Sequence, residues 1–173
     1  MSDRVRSNTV RVVNIRETTA DDLPAALALN NGSIPALNEI DAAEIDRLVG
    51  MAALALTAEV DGAFAGFCIT FPPGVDYASL NYGWFSRHYD DFVYLDRIAV
   101  DPAYRRLGIG KAFYDRVIEQ FTGIYPQLFC EVNVRPRNDA SLLFHHSIGF
   151  REVGQQDTDG GNKTVSLLAL PLG

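Results

Sequence analysis

A chain of 173 residues with 47% hydrophobic content can fill one core, and 21% charged residues with little low-complexity sequence argue against extended disorder. The net charge of -7 argues against nucleic acid as a partner and favours neutral or cationic acceptors. No apolar run approaches the ~18 residues a membrane span needs, and the opening MSDRVRSN has no apolar signal core. The expectation is a single cytoplasmic domain over residues 1–173, with 1–9 flexible and no membrane contact. Cys68 and Cys130 both sit in apolar strand patterns and read as buried thiols of a reducing compartment.

Val10 to Arg16 alternates enough to predict a half-buried first strand. Thr19 with Asp22 resembles a capping box, so a helix is expected through Leu23 and Leu27 to about Asn30. Asp41 with Glu44 repeats the signal before Ile45, Leu48 and Val49, which predicts two short helices joined by a polar elbow. Leu54 to Val60 and Ala63 to Phe71 read as strands around Asp61-Gly62, the dipeptide of a type I′ hairpin. Pro72-Pro73-Gly74 ends the second strand. Residues 75–91 read as a loop crowded with Tyr77, Tyr82, Trp84, Phe85, His88 and Tyr89. Such a loop either packs over the domain's own core or forms an aromatic acceptor wall or dimer contact.

Phe92 to Val100 is a strand stopped by Asp101-Pro102. Arg105, Arg106, Gly108 and Gly110 follow, and then Ile109, Ala112, Phe113, Val117 and Phe121 mark one face of a helix. A helix N-terminus carries unpaired N–H groups and positive potential, glycines admit an anion to the backbone, and arginines add charge. The stretch is built for a phosphate-bearing ligand. It is not a Walker A loop, because Ala112 follows Gly110-Lys111 and Arg105 stands where the first Gly belongs. It is not a dinucleotide fingerprint either, since Phe113 takes the place of the third small residue.

Gln127 to Val134 is the next strand. Leu128, Cys130, Val132 and Val134 share its apolar face, and Phe129, Glu131 and Asn133 the other. Asn138-Asp139 caps a short helix from Ala140 to Ser147, closed by Gly149. Phe150 to Gln155 and Lys163 to Leu170 form a last hairpin around a flexible DTDGG loop.

The motif R-x-x-G-x-G at Arg105, Gly108 and Gly110, behind a strand ending in Val-Asp-Pro, resembles the acetyl-CoA signature of the GCN5-related N-acetyltransferase (GNAT) superfamily. A later family motif, N-x-x-[AS]-x-x-x-Y-x-x-x-G-F, is matched at Asn138, Ser141, Gly149 and Phe150. The resemblance covers nearly the whole chain. It implies an α/β (α+β) fold with a mixed, mostly antiparallel seven-stranded sheet, a central splay, and the order β-α-α-β-β-β-α-β-α-β-β. It also implies acetyl-CoA as co-substrate. Ile98, Ala99 and Val100 would meet the pantetheine arm, and Arg105, Arg106, Leu107, Gly108, Ile109, Gly110 and Lys111 the pyrophosphate. Asn138, Ser141 and Phe144 would contact the far arm. The elbow with Asn30 and Asn38, and Tyr82, Trp84 and Phe85, would wall the acceptor. Homodimerisation is a habit of the superfamily.

Acetyl transfer to an amine needs a base, a donor for the oxyanion and, for the thiolate, an acid. The chain departs from the family at the acid, since His145 replaces the usual tyrosine. His145 reads as acid, base or capped core histidine. Glu131 is the first choice of base, with pairing to an arginine such as Arg97 as its structural rival, and Asp96 with Tyr94 as runner-up. Cys130 faces away from Glu131. The leading expectation is a direct N-acetyltransferase acting on a small amine, an amino acid or a peptide N-terminus. A non-catalytic acyl-CoA-binding module and an enzyme for longer acyl chains are the rivals. The three histidines show no metal-ligand spacing with Cys or Asp.

Overall fold

The computed structural model describes residues 11–173. The flexible segment expected at 1–9 and the strand start at Val10 lie outside the described residues. Seven strands form one sheet: β1 (Val13–Glu17), β2 (Leu54–Val60), β3 (Ala63–Phe71), β4 (Val93–Val100), β5 (Gln127–Arg135), β6 (Arg151–Thr158) and β7 (Lys163–Pro171). Their spatial order is β1-β2-β3-β4-β5-β7-β6, and among the described residues only β4 and β5 run parallel. Asp61 and Gly62 both take positive φ, 52° and 81°, as the type I′ turn between β2 and β3 requires.

Five helices cover the sheet: α1 (Leu23–Asn31), α2 (Ala42–Gly50), α3 (Leu80–His88), α4 (Ile109–Phe121) and α5 (Asp139–Ile148). On one face α4 and α5 close a core of Phe113, Val117, Leu128, Cys130 and Phe150. On the other, α1, α2 and α3 cover Phe67, Phe71, Phe92 and Phe129. The caps read from sequence are formed. Asp41 accepts from the Glu44 amide at 2.8 Å, and Asn138 from the Ser141 amide at 3.2 Å. The Thr19 amide donates to Asp22 at 2.8 Å, ahead of a 3-10 turn that leads into α1.

The structure corrects the expected element order at one place: the aromatic stretch is a helix, α3, and not a loop. Ser79 caps it by accepting from the Tyr82 amide at 3.2 Å. Tyr82 and Phe85, three residues apart, face inward together, and Phe85 stacks on Phe129 at 4.4 Å and 9°. Gly83 and the β-favouring aromatics hide this helix from local propensity, and burial of its aromatic face outweighs that penalty. Trp84 lies against Gly154, where a Cβ would come within 2.9 Å of the indole Cζ2. We therefore expect Gly154→Ala to push the indole off β6 and cost about 1–3 kcal/mol. A lowered Tm together with a red-shifted emission of this single tryptophan is the check, and an unchanged spectrum would sink the idea.

Candidate active site

Beyond their first pairs, Val93 with Leu128 and Tyr94 with Phe129, β4 and β5 no longer bond. Both strands continue, so a wedge opens in the middle of the sheet. On the β3 side the Asp101 amide bonds to the Ala65 carbonyl at 2.9 Å. By the alternation of an antiparallel ladder, Ile98 and Val100 therefore turn their backbone groups toward the open wedge. A strand edge inside a sheet, with no strand to fill it, is a template for an extended amide-bearing ligand.

A register shift in the β3–β4 ladder shapes the same place. Ile69 pairs with Arg97 and Thr70 with Leu95, which leaves Asp96 as the extra residue of a bulge. The bulge changes the facing of the strand: Leu95 and Ile98, three apart, share one core, while Tyr94 and Ala99 share the other. Asp96 and Arg97 consequently meet on the side of α1 and α3. Their side chains are 5% and 3% exposed and pair at 3.1 Å. Arg97 also donates to Asn30 Oδ1 and to Asn38 Oδ1, each at 2.7 Å. This one guanidinium pins the elbow between α1 and α2 against the sheet.

Glu131 projects from β5 into a cleft of about 230 Å³ that both walls of the wedge line, together with Asn38, Tyr77 and Asn81. Its carboxylate accepts from the Tyr94 hydroxyl, at 2.8 Å and 2.7 Å to its two oxygens, and from Asn81 Nδ2 at 3.1 Å. It does not pair with Arg97, which is committed to Asp96. Burial, and then the charge of Asp96, push the Glu131 carboxyl up to about 8, while Tyr94, Asn81 and Arg97 oppose the shift. Burial likewise raises Asp96 against the pull of Arg97, and it raises the Tyr94 hydroxyl. A carboxylate that binds and releases a proton near neutral pH can serve as a general base.

His145 lines the same cleft from α5 but has neither ring nitrogen to spare. Nδ1 lies 2.7 Å from the Ser141 carbonyl and can only donate there, so Nε2, 2.6 Å from the Tyr114 hydroxyl, accepts. Burial also lowers its pKa, which favours the neutral ring. Tyr114, absent from the apolar face read for α4, is wholly buried and ties α4 to α5. Cys130 faces the α4 side, and burial raises its thiol well above the ordinary range.

The strand-to-helix turn gives the second half of the site. Arg106 and Gly108 take positive φ, 66° and 77°, and Gly108 is the N-cap of α4. Arg105, Arg106, Gly108 and Lys111 are exposed. At Gly110 an added Cβ would stand 3.2 Å from the Phe144 ring. The turn is thus a bare backbone cradle with cationic rims, which fits a pyrophosphate.

Of the five residues expected to wall the acceptor, Asn38 lines the cleft, and Asn30 lies fully buried behind it. Tyr82 and Phe85 are core residues, with the Tyr82 hydroxyl spent on the Pro72 carbonyl at 2.8 Å, and Trp84 packs on β6. The correction has one cause: once the segment coils into α3, its Tyr82–Phe85 face turns inward. Of the residues that do line the cleft, Tyr77 was read only within the aromatic stretch, Arg97 only as a structural partner for Glu131, and Asn81 not at all. The Ser79 cap signal, placing Asn81 in the first turn of a helix, is the clue that could have found one of them.

Comparison with known proteins agrees with this geometry. Residues 30–150 match the family model described as the acetyltransferase (GNAT) family. The [ribosomal protein bS18]-alanine N-acetyltransferase of Escherichia coli (strain K12) is 33% identical over 84 residues, 45% of this chain and 55% of that protein. The chain thus spans about half the length of the curated relatives it matches. The crystal structure of the ribosomal-protein-S18-alanine N-acetyltransferase from Escherichia coli superposes with a TM-score of 0.72 at 24% identity, over 94% of this chain and 95% of that one. The yncA structure from Salmonella typhimurium, with its cofactor acetyl-CoA, gives a TM-score of 0.70 at 18% identity over 94% of this chain and 95% of that one. The wedge, the phosphate-fitting turn and the matched family model together mean that the chain belongs to the acetyltransferase (GNAT) family.

Proposed function

We propose that the protein is a single-domain N-acetyltransferase acting by direct transfer on the α-amine of an amino acid or a peptide N-terminus. The observation that carries this is Glu131 standing in the wedge with its carboxyl pushed up to about 8. An α-ammonium has a reference pKa of about 7.7–8.0, so such a base removes its proton at almost no cost. A lysine side chain, near 10.4, would cost about 3 kcal/mol more. A groove of about 350 Å³ adjoining the cleft, walled by Asn38, Glu44, Arg47 and Leu80, leaves room for residues that follow the first. The alanine N-acetyltransferase activity named for the Escherichia coli relative is of the same class. The two buried thiols support a reducing, cytoplasmic location.

In this reading Ile98 and Val100 offer backbone partners to the pantetheine amides, and the turn from Arg105 to Lys111 takes the pyrophosphate. Asn138, Ser141 and Phe144 border the far arm. Acetyl-CoA would supply the acyl thioester: the amine would attack its carbonyl carbon, the C–S bond would break, and CoA would leave as a thiolate that takes its proton from solvent. Glu131 takes the proton from the ammonium, and Tyr94 and Asn81 hold the carboxylate that does so. His145 acts as a positioning residue that locks α5 to α4, since both ring nitrogens already have partners. Among the described residues no helix is long and apolar enough to cross a membrane.

The test is acetyl-CoA with peptides of blocked or free N-terminus, with and without lysine, read by thiol release and mass spectrometry. Acetyl on the free α-amine is expected, and acetyl only on lysine or on small polyamines overturns the reading. For the turn, the Arg105→Ala, Arg106→Ala double variant should weaken acetyl-CoA binding by about tenfold at low salt and by less at high salt. Calorimetry at two ionic strengths reads this. An unchanged Kd means that the arginines face elsewhere.

A further inference from the structure

We infer that Asn81, held by Gln156, is a positioning residue that sets the orientation and the protonation of Glu131. The chemical role of Glu131 rests on the reading above, but the contact itself does not. Asn81 stands in the first turn of α3, and its amide Nδ2 donates to Glu131 Oε1 at 3.1 Å. On its other side, Gln156 Nε2 of β6 donates to Asn81 Oδ1 at 2.9 Å. An ionised carboxylate only accepts, so Asn81 presents its N–H to Glu131 and turns its oxygen to the Gln156 amide, which braces it. A single chain of bonds thus runs from the edge strand, through a helix the sequence disguised, to the carboxylate in the wedge.

The donor matters because of what else surrounds Glu131. Tyr94 shares its proton with both oxygens of the carboxylate. Asp96 opposes ionisation, and Arg97 is spent on Asp96, Asn30 and Asn38. Tyr77, Lys163 and His145 line the cleft, and none of them hydrogen-bonds the Glu131 carboxylate among the described residues. Asn81 is therefore a charge-neutral donor that favours the ionised form. A donor to a carboxylate lowers its pKa, and removing one raises it.

The experiment uses the full chain labelled with carboxyl-13C glutamate, with the Glu131 resonance identified by its loss in Glu131→Gln. Asn81→Leu should raise the Glu131 titration midpoint by about one unit, and Gln156→Leu should move it the same way by less. Asn81→Asp, which keeps the shape but adds a like charge, should raise it further and serves if the leucine variant does not fold. A midpoint unmoved in both folded Asn81 variants overturns the inference, even if their Tm falls, because a merely structural role leaves titration unchanged. In turnover, the acidic limb of kcat/KM should move with the resonance while the high-pH plateau returns. If the resonance moves and the limb does not, Asn81 still controls Glu131, and it is the base assignment that fails.

Discussion

Glu131→Gln is expected to lower kcat by about 100-fold or more while leaving the Kd for acetyl-CoA within a factor of two. Glutamine keeps the shape and can still meet Tyr94 and Asn81, but it cannot take a proton, and general base catalysis contributes roughly 10²–10⁴-fold. With Glu131 in the proposed role of base the active form is the carboxylate, so kcat/KM should climb as pH rises through about 8. Stability moves the other way. The folded carboxyl is raised from 4.5 to about 8, so between those values the folded protein holds a proton that the unfolded chain has released. Stability is therefore lost as pH rises across that window. Glu131→Gln does not titrate, so its Tm should exceed the parent's above pH 8 even though turnover has collapsed. Stopped-time thiol release and thermal melts from pH 5 to 9 give both readings. Full turnover in this variant would end the role proposed for Glu131.

Arg97→Met should be the most destabilising single change in the site. The guanidinium is 3% exposed and joins Asp96, Asn30 and Asn38 in one network. Removing it leaves a buried carboxylate without its cation, and the buried Asn30 amide and the exposed Asn38 amide without their donor, a loss of about 3–5 kcal/mol. For a chain of this size that is about 10 °C in Tm. The elbow between α1 and α2 loses its tie to β4, so KM for the acceptor should rise more than KM for acetyl-CoA. Adding Asp96→Asn to Arg97→Met removes the orphaned charge and should recover part of the Tm. A fall of less than 2 °C for the single variant would show that the network contributes little. The same network explains why Glu131 is left to Tyr94 and Asn81: Arg97 is held on Asp96, Asn30 and Asn38.

The phosphate-fitting turn was legible because its chemistry is local. Glycines, arginines and a helix start lie within seven residues, Arg105 to Lys111, and backbone conformation decides what they do. The caps at Asp41 and Asn138 and the type I′ turn at Asp61-Gly62 were legible for the same reason. The alternation of β5 correctly set Glu131 and Phe129 on one face and Cys130 on the other. The helix at 80–88 was not legible. Its formation depends on Phe85 stacking on a strand more than forty residues away, a contact that outweighs the low helix propensity of Gly83 and the aromatics.

Local pattern by itself thus determined the strands of the sheet, the glycine- and arginine-rich turn and the face of β5 that carries Glu131, since each is encoded by side-chain period or backbone chemistry over a few residues. Only the tertiary structure decided the partners. The bulge at Asp96 puts two neighbouring strand residues on one face, where a regular strand would separate them, and so directs Arg97 to Asp96 and the elbow. Coiling of α3 carries Asn81 to Glu131 and takes Tyr82 and Phe85 into the core. Packing of α4 on α5 gives both ring nitrogens of His145 a partner. The environment of a titrating group depends on which long-range contacts surround it, and such contacts leave no period in the chain.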